Sequence, residues 1–255
     1  MAARLGGRKW ATCLRGEPVT SSADVSVVVV SLNAAATIGA ALDSLVAARE
    51  GPATGHLEVI LVDGGSQDRT VEHAASRQSR LPGLRILHQT SRGIAAARNE
   101  GIRAASSALI GFCDADDAWT SDALPLRLEA LQRDAAAWGV TGQVSFVSVE
   151  AATPGAPVRR AAGSIHPGYT PGAILLRKAA FERVGPFDES LRIGADGDWI
   201  LRASQAMGPL LVLPETVLEK GVRAGSLSTD VAAYRREMLL IARRFIRRAR
   251  PHDRP

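Results

Sequence analysis

Cysteines and aromatic residues are scarce in this sequence. The chain has two cysteines among its 255 residues, too few for a disulfide framework and consistent with a reducing compartment. Aromatic residues make up 4% of the chain and are not interleaved with the basic residues, as they would be on a nucleic-acid platform. We therefore expect a cytoplasmic protein without a nucleic-acid partner.

Long apolar runs are missing as well. No run approaches the roughly 18 residues that a membrane span requires, and residues 1–17 are basic without the apolar segment of a signal peptide. Residues 1–23 are rich in Ala, Arg, Gly and Ser without periodicity, which predicts a disordered N-terminal extension. Hydrophobic residues still make up 46% of the chain, enough for one substantial core.

Arginines crowd the end of the chain and contribute to its net charge of +5. Residues 229–255 predict a basic amphipathic helix and tail. Two roles for this helix stay open. Its apolar stripe packs on the rest of the domain, or it lies on an anionic membrane at the inner face and meets a lipid-linked acceptor there.

Strands and helices alternate through the first half of the chain. Residues 25–30 are β-branched at almost every position, which is typical of a strand buried on both faces. Further strands are predicted at 57–62, 84–88 and 108–113, with helices at about 37–50, 66–80 and 93–105. This order predicts an α/β fold with a Rossmann-like, mostly parallel sheet flanked by helices.

Three of the predicted strands end in polar residues. Ser31 and Asn33 end the first strand, Asp63 the second, and Asp114 and Asp116 the fourth. Ligands of such sheets bind beyond the carboxyl ends of the strands. The three ends therefore predict a shared crevice that suits a nucleotide.

The fourth strand runs into three aspartates, Asp114, Asp116 and Asp117. Their mutual repulsion is tolerable if a divalent metal lies between them, which makes a metal site one interpretation. The other interpretation is a solvated loop whose aspartates cap the next helix.

The second half of the chain is less regular and predicts a smaller mixed region. Residues 151–171, with their Pro, Gly, Ala and Arg content, are predicted to form a long loop that covers the site. The other predicted elements are helices at 124–138, 178–184 and about 196–207, and strands at 140–149, 173–176, 210–213 and 217–222.

The order and spacing of seven segments resemble family 2 glycosyltransferases of the GT-A fold, over residues 25–228. The segments are VSVVVVSLN, EVILVDGGSQDRT, GIAAARNEGI, ALIGFCDADDAW, GAILLRKAAFERVGPFDESL, DGDWILRA and GSLS. The resemblance implies a domain at 24–228, with a nucleotide-sugar half at 24–120 and an acceptor half at 121–228.

The resemblance also implies roles for the residues at the strand ends. Asp63 would bind the base of a nucleotide-sugar donor, and Ser31 and Asn33 would border the donor beside it. Asp114 would lie near the ribose, and with Asp116 it would hold the Mg²⁺ or Mn²⁺ that bridges the diphosphate, where a Lewis acid stabilises the leaving group.

In the acceptor half, Asp196 matches the general base that takes a proton from the acceptor hydroxyl for in-line attack with inversion. Arg223 stands where some relatives have a histidine and would pair with phosphate. Trp119 and Trp199 are either core residues or stacking platforms for the acceptor. Ala195 replaces the usual glutamate before the base, which removes a carboxylate from the acceptor side.

Three absences separate the alternatives. No Gln-x-x-Arg-Trp motif occurs, which argues against a processive synthase. Residues 32–36 contain no lysine or arginine, which disfavours a nucleotidyltransferase. The missing glutamate keeps a catalytically inactive, nucleotide-sugar-binding scaffold open. The acceptor, whether a glycan, a lipid-linked sugar, a peptide or a small molecule, is not determined.

Overall fold

A computed structural model describes residues 23–49, 54–150, 158–222 and 231–249. The predicted N-terminal extension up to residue 22 and the predicted phosphate contact of Arg223 lie outside these ranges. The strands are β1 (Ala23–Ser31), β2 (Thr54–Asp63), β3 (Leu84–His88), β4 (Leu109–Asp114), β5 (Ala118–Trp119), β6 (Gly139–Glu150), β7 (Val158–Pro167), β8 (Ile174–Arg177) and β9 (Leu211–Val222). The helices are α1 (Ile38–Ala48), α2 (Thr70–Ala75), α3 (Ile94–Ala104), α4 (Ala123–Arg133), α5 (Ala179–Val184), α6 (Ala195–Met207) and α7 (Val231–Ala249).

The first half forms the parallel part of one sheet, in the order β3-β2-β1-β4. Helices α1 and α3 follow β1 and β3, as the alternating sequence pattern predicts. The contact between α3 and β1 is close, since a Cβ at Gly101 would lie 2.3 Å from Val28 Cγ1. Buried apolar residues form one cluster on each face of the sheet.

The second half extends the same sheet with mixed pairing. Strand β8 is antiparallel to β4 and to β6, β9 is parallel to β6, and β5 is antiparallel to β9. The combination of a parallel half and a mixed half agrees with the predicted architecture.

The prediction of a loop over residues 151–171 was wrong for β7. This strand pairs antiparallel with β6 from Gln143↔Pro167 to Glu150↔Val158. Its alanines, glycine and arginines carry no strand pattern. The strand is therefore stabilised by its hydrogen bonds to β6 and not by local strand propensity. Residues 151–157, where the loop was also predicted, lie outside the described residues.

Other element boundaries also differ from the prediction. The two strands expected at 210–213 and 217–222 are one strand, β9, in which the pairing with β6 shifts register around Pro214. Helix α4 ends at Arg133, and the Asp134 carboxylate accepts the backbone N–H groups of Ala136 and Ala137 beyond it. Helix α2 ends at Ala75, five residues before the predicted end.

Both tryptophans of interest belong to the core. Trp119 is 4% exposed and Trp199 is 1% exposed. The indole N–H of Trp119 donates to the carbonyl of Gly172 at 2.8 Å, and that of Trp199 to the carbonyl of Gly185 at 2.8 Å. Their rings are therefore not stacking platforms for an acceptor.

Candidate active site

The carboxyl ends of β1, β2 and β4 lie side by side. Ser31 pairs with Asp63 between β1 and β2, and Val30 pairs with Asp114 between β1 and β4. The structure therefore brings these predicted strand ends to one edge of the sheet.

Asp63 organises the loop after β2 from a buried position, with 1% exposure. Its Oδ1 accepts the hydroxyls of Ser31 (2.8 Å) and Ser66 (2.6 Å). Its Oδ2 accepts the backbone N–H groups of Gly65 (3.1 Å) and Ser66 (2.8 Å). Burial raises the pKa of Asp63, but these hydrogen bonds outweigh burial and hold the pKa below its ordinary value. The carboxylate is therefore ionised and fixed in place.

Asn33 connects the loops that follow β1 and β2. Its φ of 49° lies in the left-handed region, which asparagine tolerates better than most residues. Its N–H donates to Ser66 Oγ at 2.8 Å, and its Oδ1 accepts the N–H of Gln67 at 2.9 Å. The two predicted donor-side loops are thus held together.

Arg98 of α3 joins Asp114 to Asp196. It is 2% exposed, and its Nη2 donates to Asp114 Oδ1 at 2.8 Å while its Nη1 donates to Asp196 Oδ1. One guanidinium therefore brings together the predicted donor-side carboxylate and the predicted base.

Asp196 is the second residue of α6, in the turn where the helix dipole favours negative charge. Burial raises the pKa of Asp196 above its ordinary value, and Asp114 adds to the rise. Arg98 and Lys220 oppose that rise in part. A carboxylate with a raised pKa is a better proton acceptor near neutral pH than an ordinary aspartate.

Lys220 of β9 places a second cation beside the aspartates. Its Nζ is 3.2 Å from Asp117 Oδ2 and 3.8 Å from Asp114 Oδ2. Asp117 is 1% exposed and also accepts the N–H of Gly221 at 2.9 Å. Burial raises the pKa of Asp117 to about 7, with Asp114 and Asp116 adding to the rise and Lys220 opposing it.

Residues 26–185 match the model of the family described as glycosyl transferase family 2. This chain belongs to that family. The matched range contains the strand ends and Arg98, and it stops before α6.

Proteins that are similar to this chain in sequence are also described as glycosyltransferases. A relative from Mycobacterium bovis, described as a PGL/p-HBAD biosynthesis glycosyltransferase, is 31% identical over 180 residues, which is 69% of this chain and 68% of the relative. The uncharacterized glycosyltransferase EpsJ of Bacillus subtilis is 38% identical over 104 residues, covering 41% of this chain and 29% of EpsJ. The chain thus matches under a third of EpsJ and 18% of an uncharacterized glycosyltransferase, YibD, of Escherichia coli.

Solved structures share the fold of this chain. S. aureus TarS 1-349 in complex with UDP-GlcNAc has a TM-score of 0.67 at 20% identity, covering 86% of this chain and 65% of that one. The mannosyltransferase PcManGT from Pyrobaculum calidifontis, in complex with GDP-Man and Mn²⁺, has a TM-score of 0.64 at 20% identity, covering 97% and 69%. The predicted GT-A fold of this family 2 chain is confirmed.

The family resemblance implies a divalent metal held by Asp114 and Asp116. Within the described ranges, no three His, Cys, Asp or Glu side chains form a cage for a metal ion. Asp114 already pairs with Arg98 and Lys220, and Asp116 is half-buried in the turn after β4. Proteins hold Mg²⁺ through one or two carboxylates together with substrate phosphates. The two aspartates therefore fit a divalent ion that binds together with a diphosphate.

Arg98 and Lys220 are candidate site residues of this family 2 chain that sequence reasoning missed. Arg98 had a usable signal, because it follows three alanines on a predicted helix and a charged residue on a buried face needs a partner. Lys220 had none, because the end of β9 meets the aspartates only through its pairing with β5 and β6.

Proposed function

We propose that this chain transfers a sugar from a nucleotide-sugar donor to an acceptor hydroxyl, with a divalent metal, with inversion, and without processivity. The observation that carries the proposal is the pairing of Asp114 and Asp196 with one guanidinium, that of Arg98. Both the proposed donor-side carboxylate and the proposed base contact this one side chain, which supports a shared site.

The strand ends are assigned to the donor. Asp63 and Ser31 are proposed to meet the base and ribose, with Asn33 holding the adjoining loop. Asp114 and Asp116 are proposed to hold Mg²⁺ or Mn²⁺ together with the diphosphate, and the ion would supply Lewis-acid stabilisation of the leaving group. Two solved structures of the same fold contain UDP-GlcNAc, or GDP-Man with Mn²⁺, which supports a nucleotide-sugar donor and a divalent metal. Arg223 remains a proposed phosphate contact.

Asp196 is assigned to the acceptor hydroxyl. Its carboxylate would take the proton while the hydroxyl oxygen attacks the anomeric carbon, and the nucleoside diphosphate leaves with the bonding electron pair. The raised pKa of Asp196 supports this role. Because Arg98 holds the Asp196 carboxylate in place, no entropy is lost in orienting that side chain during the reaction.

One observation favours a second candidate, a nucleotide-sugar-binding scaffold without activity. Ala195 occupies the position before Asp196 and is 1% exposed, so the acceptor side has one carboxylate fewer than relatives with glutamate there. In that case the donor binds in a metal-dependent way, but no sugar is transferred or released.

A nucleotide-sugar panel tests the proposal. Purified protein is incubated with each donor and Mn²⁺, nucleotide release is measured, and binding of the matching nucleoside diphosphate is titrated with and without Mn²⁺. We expect Asp116→Ala to abolish turnover and weaken binding, and Asp196→Asn to abolish transfer while binding stays within about twofold. Metal-dependent binding without turnover would favour the scaffold, and parental transfer by Asp196→Asn would refute the base assignment.

The acceptor is proposed to lie at a membrane surface, because α7 has two apolar faces. One face packs on the domain through Ala233 (5% exposed) and Ile241 (6%). The other leaves Leu239 61%, Leu240 41% and Ile246 52% exposed. No helix in the described ranges is both long and apolar enough to span a bilayer.

The outer face of α7 is also basic. Three exposed arginines, Arg235, Arg236 and Arg243, accompany the exposed apolar residues. The one acidic residue of α7, Glu237, points inward and accepts backbone N–H groups of the domain. An apolar strip flanked by arginines suits the surface of an anionic bilayer.

Vesicle flotation tests this contact. The parent is expected to float with vesicles that contain anionic lipid and not with neutral ones, and a Leu239→Ser/Ile246→Ser variant is expected to stay at the bottom. Ala substitution of Leu32, which is 56% exposed outside α7, is the matched control. Equal flotation of the parent and the double variant would end the membrane proposal.

A further inference from the structure

Glu237 of α7 binds the segment that leads into α6. Its Oε1 accepts the backbone N–H of Arg192 at 3.0 Å, and its Oε2 accepts those of Ile193 (2.8 Å) and Gly194 (2.7 Å). Burial raises the pKa of Glu237, but these hydrogen bonds outweigh burial and hold it below the ordinary value. The side chain is therefore an ionised acceptor for three consecutive backbone donors.

The same segment is enclosed by apolar and ionic contacts from α7. A Cβ at Gly194 would lie 2.8 Å from both Ile241 Cδ1 and Met238 Cε, so α7 approaches as closely as a glycine allows. Nearby, Arg244 Nη1 donates to Asp188 Oδ2 at 2.8 Å. Three residues that follow Glu237 in the helix thus add to its contact with the domain.

This contact lies two residues from the candidate base. Gly194 is the N-cap residue of α6 and has no side chain to cap the helix, and Asp196 is the second helical residue. N–H groups at a helix start lack intrahelical partners and favour a nearby carboxylate. Glu237 supplies that carboxylate from another helix and satisfies the Gly194 N–H directly.

We propose that Glu237 is a positioning residue for sugar transfer, acting through the start of α6 to hold Asp196 toward the crevice. The inference rests on the proposed role of Asp196 as base. The hydrogen bonds of Glu237 to this segment go to the backbone N–H groups of residues 192–194, so its effect on Asp196 would pass through the backbone. Helix α7 therefore helps to position Asp196, in addition to its proposed membrane contact.

Glu237→Gln tests the proposal. The amide keeps the size of the side chain but offers one acceptor oxygen in place of two, so at least one of the three N–H groups loses its partner. We expect kcat to fall about tenfold while the donor KM and the nucleoside diphosphate Kd stay within about twofold. Glu237→Asp, which keeps the charge on a shorter stem, is expected to recover part of the loss.

Gly194→Ala tests the same contact by changing the segment that leads into α6 and leaving α7 unchanged. Its φ of −87° suits alanine, so the substitution strains no backbone and acts by pushing Ile241 and Met238 away. We expect the same fall in kcat with donor binding unchanged. Glu182→Gln, an exposed glutamate on α5, is the matched control and is expected to behave as the parent.

Amide hydrogen exchange gives a readout that needs no activity. In Glu237→Gln, the amides of residues 192–194 are expected to exchange at least tenfold faster than in the parent, with α3 unchanged. Unchanged exchange at 192–194, or a parental kcat in the active enzyme, would overturn the proposal. If kcat, the donor affinity and the thermal midpoint of the variant all fall together, the proposal is also overturned, because a joint fall indicates a general structural role for Glu237. A parent without transfer would instead refute the proposed function.

Discussion

At the scale of single residues, Arg98 is the cation that Asp114 and Asp196 share. Burial lowers the pKa of Arg98, but Asp114 and Asp196 outweigh burial and raise it above the ordinary value. Its Nε has no hydrogen-bond partner among the described residues, so the buried guanidinium is stabilised through its two carboxylate partners. Such a pair costs desolvation on both sides, and removing one partner leaves the other charge uncompensated.

Arg98→Gln is therefore expected to lower the free energy of unfolding by roughly 3 to 5 kcal/mol. The pKa of Asp196 should rise further, because its nearest cation is gone. Since the base must be ionised, the acidic limb of the pH–rate profile should move to higher pH. Urea unfolding and the pH dependence of kcat measure these two effects.

Arg69→Gln is the control for Arg98→Gln. The Arg69–Glu72 pair is exposed, with 70% and 62% of its side chains accessible, so solvent screens it and its loss should leave the free energy of unfolding almost unchanged. Equal destabilisation by the two substitutions would contradict the role given to Arg98.

At the scale of elements, Glu58 joins three strands near the edge of the sheet opposite the site. Its carboxylate accepts hydrogen bonds from Ser26 Oγ of β1 at 2.6 Å, from Arg85 Nη1 of β3 at 2.9 Å, and from the N–H and hydroxyl of Ser106 before β4 at 2.9 Å each. Burial raises the pKa of Glu58, but these bonds outweigh it and lower the pKa to about 2.

This lowered pKa predicts how stability depends on pH. With a pKa of 4.5 unfolded and about 2 folded, Glu58 contributes on the order of 3 kcal/mol above pH 4.5, and the contribution is lost as pH falls toward 2. Glu58→Gln should therefore destabilise most at pH 7 and progressively less at pH 4.5 and pH 3. Urea unfolding at these three values measures the difference. A difference that does not change with pH would mean that the ionised carboxylate is not its source.

At the scale of the whole molecule, donor binding should stabilise the protein in a metal-dependent way. A ligand at 100 times its Kd adds about 2.7 kcal/mol to the native state, which for a chain of this size is a shift of about 5 to 10 °C in the thermal midpoint. The metal alone should shift the midpoint little, because Asp114 is already paired with Arg98 and Lys220.

The measurement compares the thermal midpoint without ligand, with Mn²⁺, with a nucleoside diphosphate, and with both. In Asp116→Ala the additional shift from the metal should disappear while part of the nucleotide shift remains. If Mn²⁺ alone shifted the thermal midpoint as much as Mn²⁺ with the nucleotide, the metal site would be preformed. That result would contradict the conclusion that the ion binds together with a diphosphate.

The first half of the fold could be predicted from the sequence because its signals are local. Residues 25–30 are almost all β-branched, and three of the four parallel strands end in the polar residues named above, so the local pattern located β1 to β4 within three residues at each end. The second half resisted prediction. Strand β7 has no strand pattern, and its hydrogen bonds come from β6, which is contacted only after the chain turns back.

The sequence by itself determined which carboxylates end the strands, since a parallel sheet brings those ends to one edge whatever the rest of the chain does. Only the tertiary structure decided their partners. Arg98 meets Asp196 across 98 positions of the chain, and Glu237 reaches the start of α6 across more than 40. Such pairings depend on how α3, α6 and α7 pack, and no local pattern records the distance between residues that are far apart in sequence.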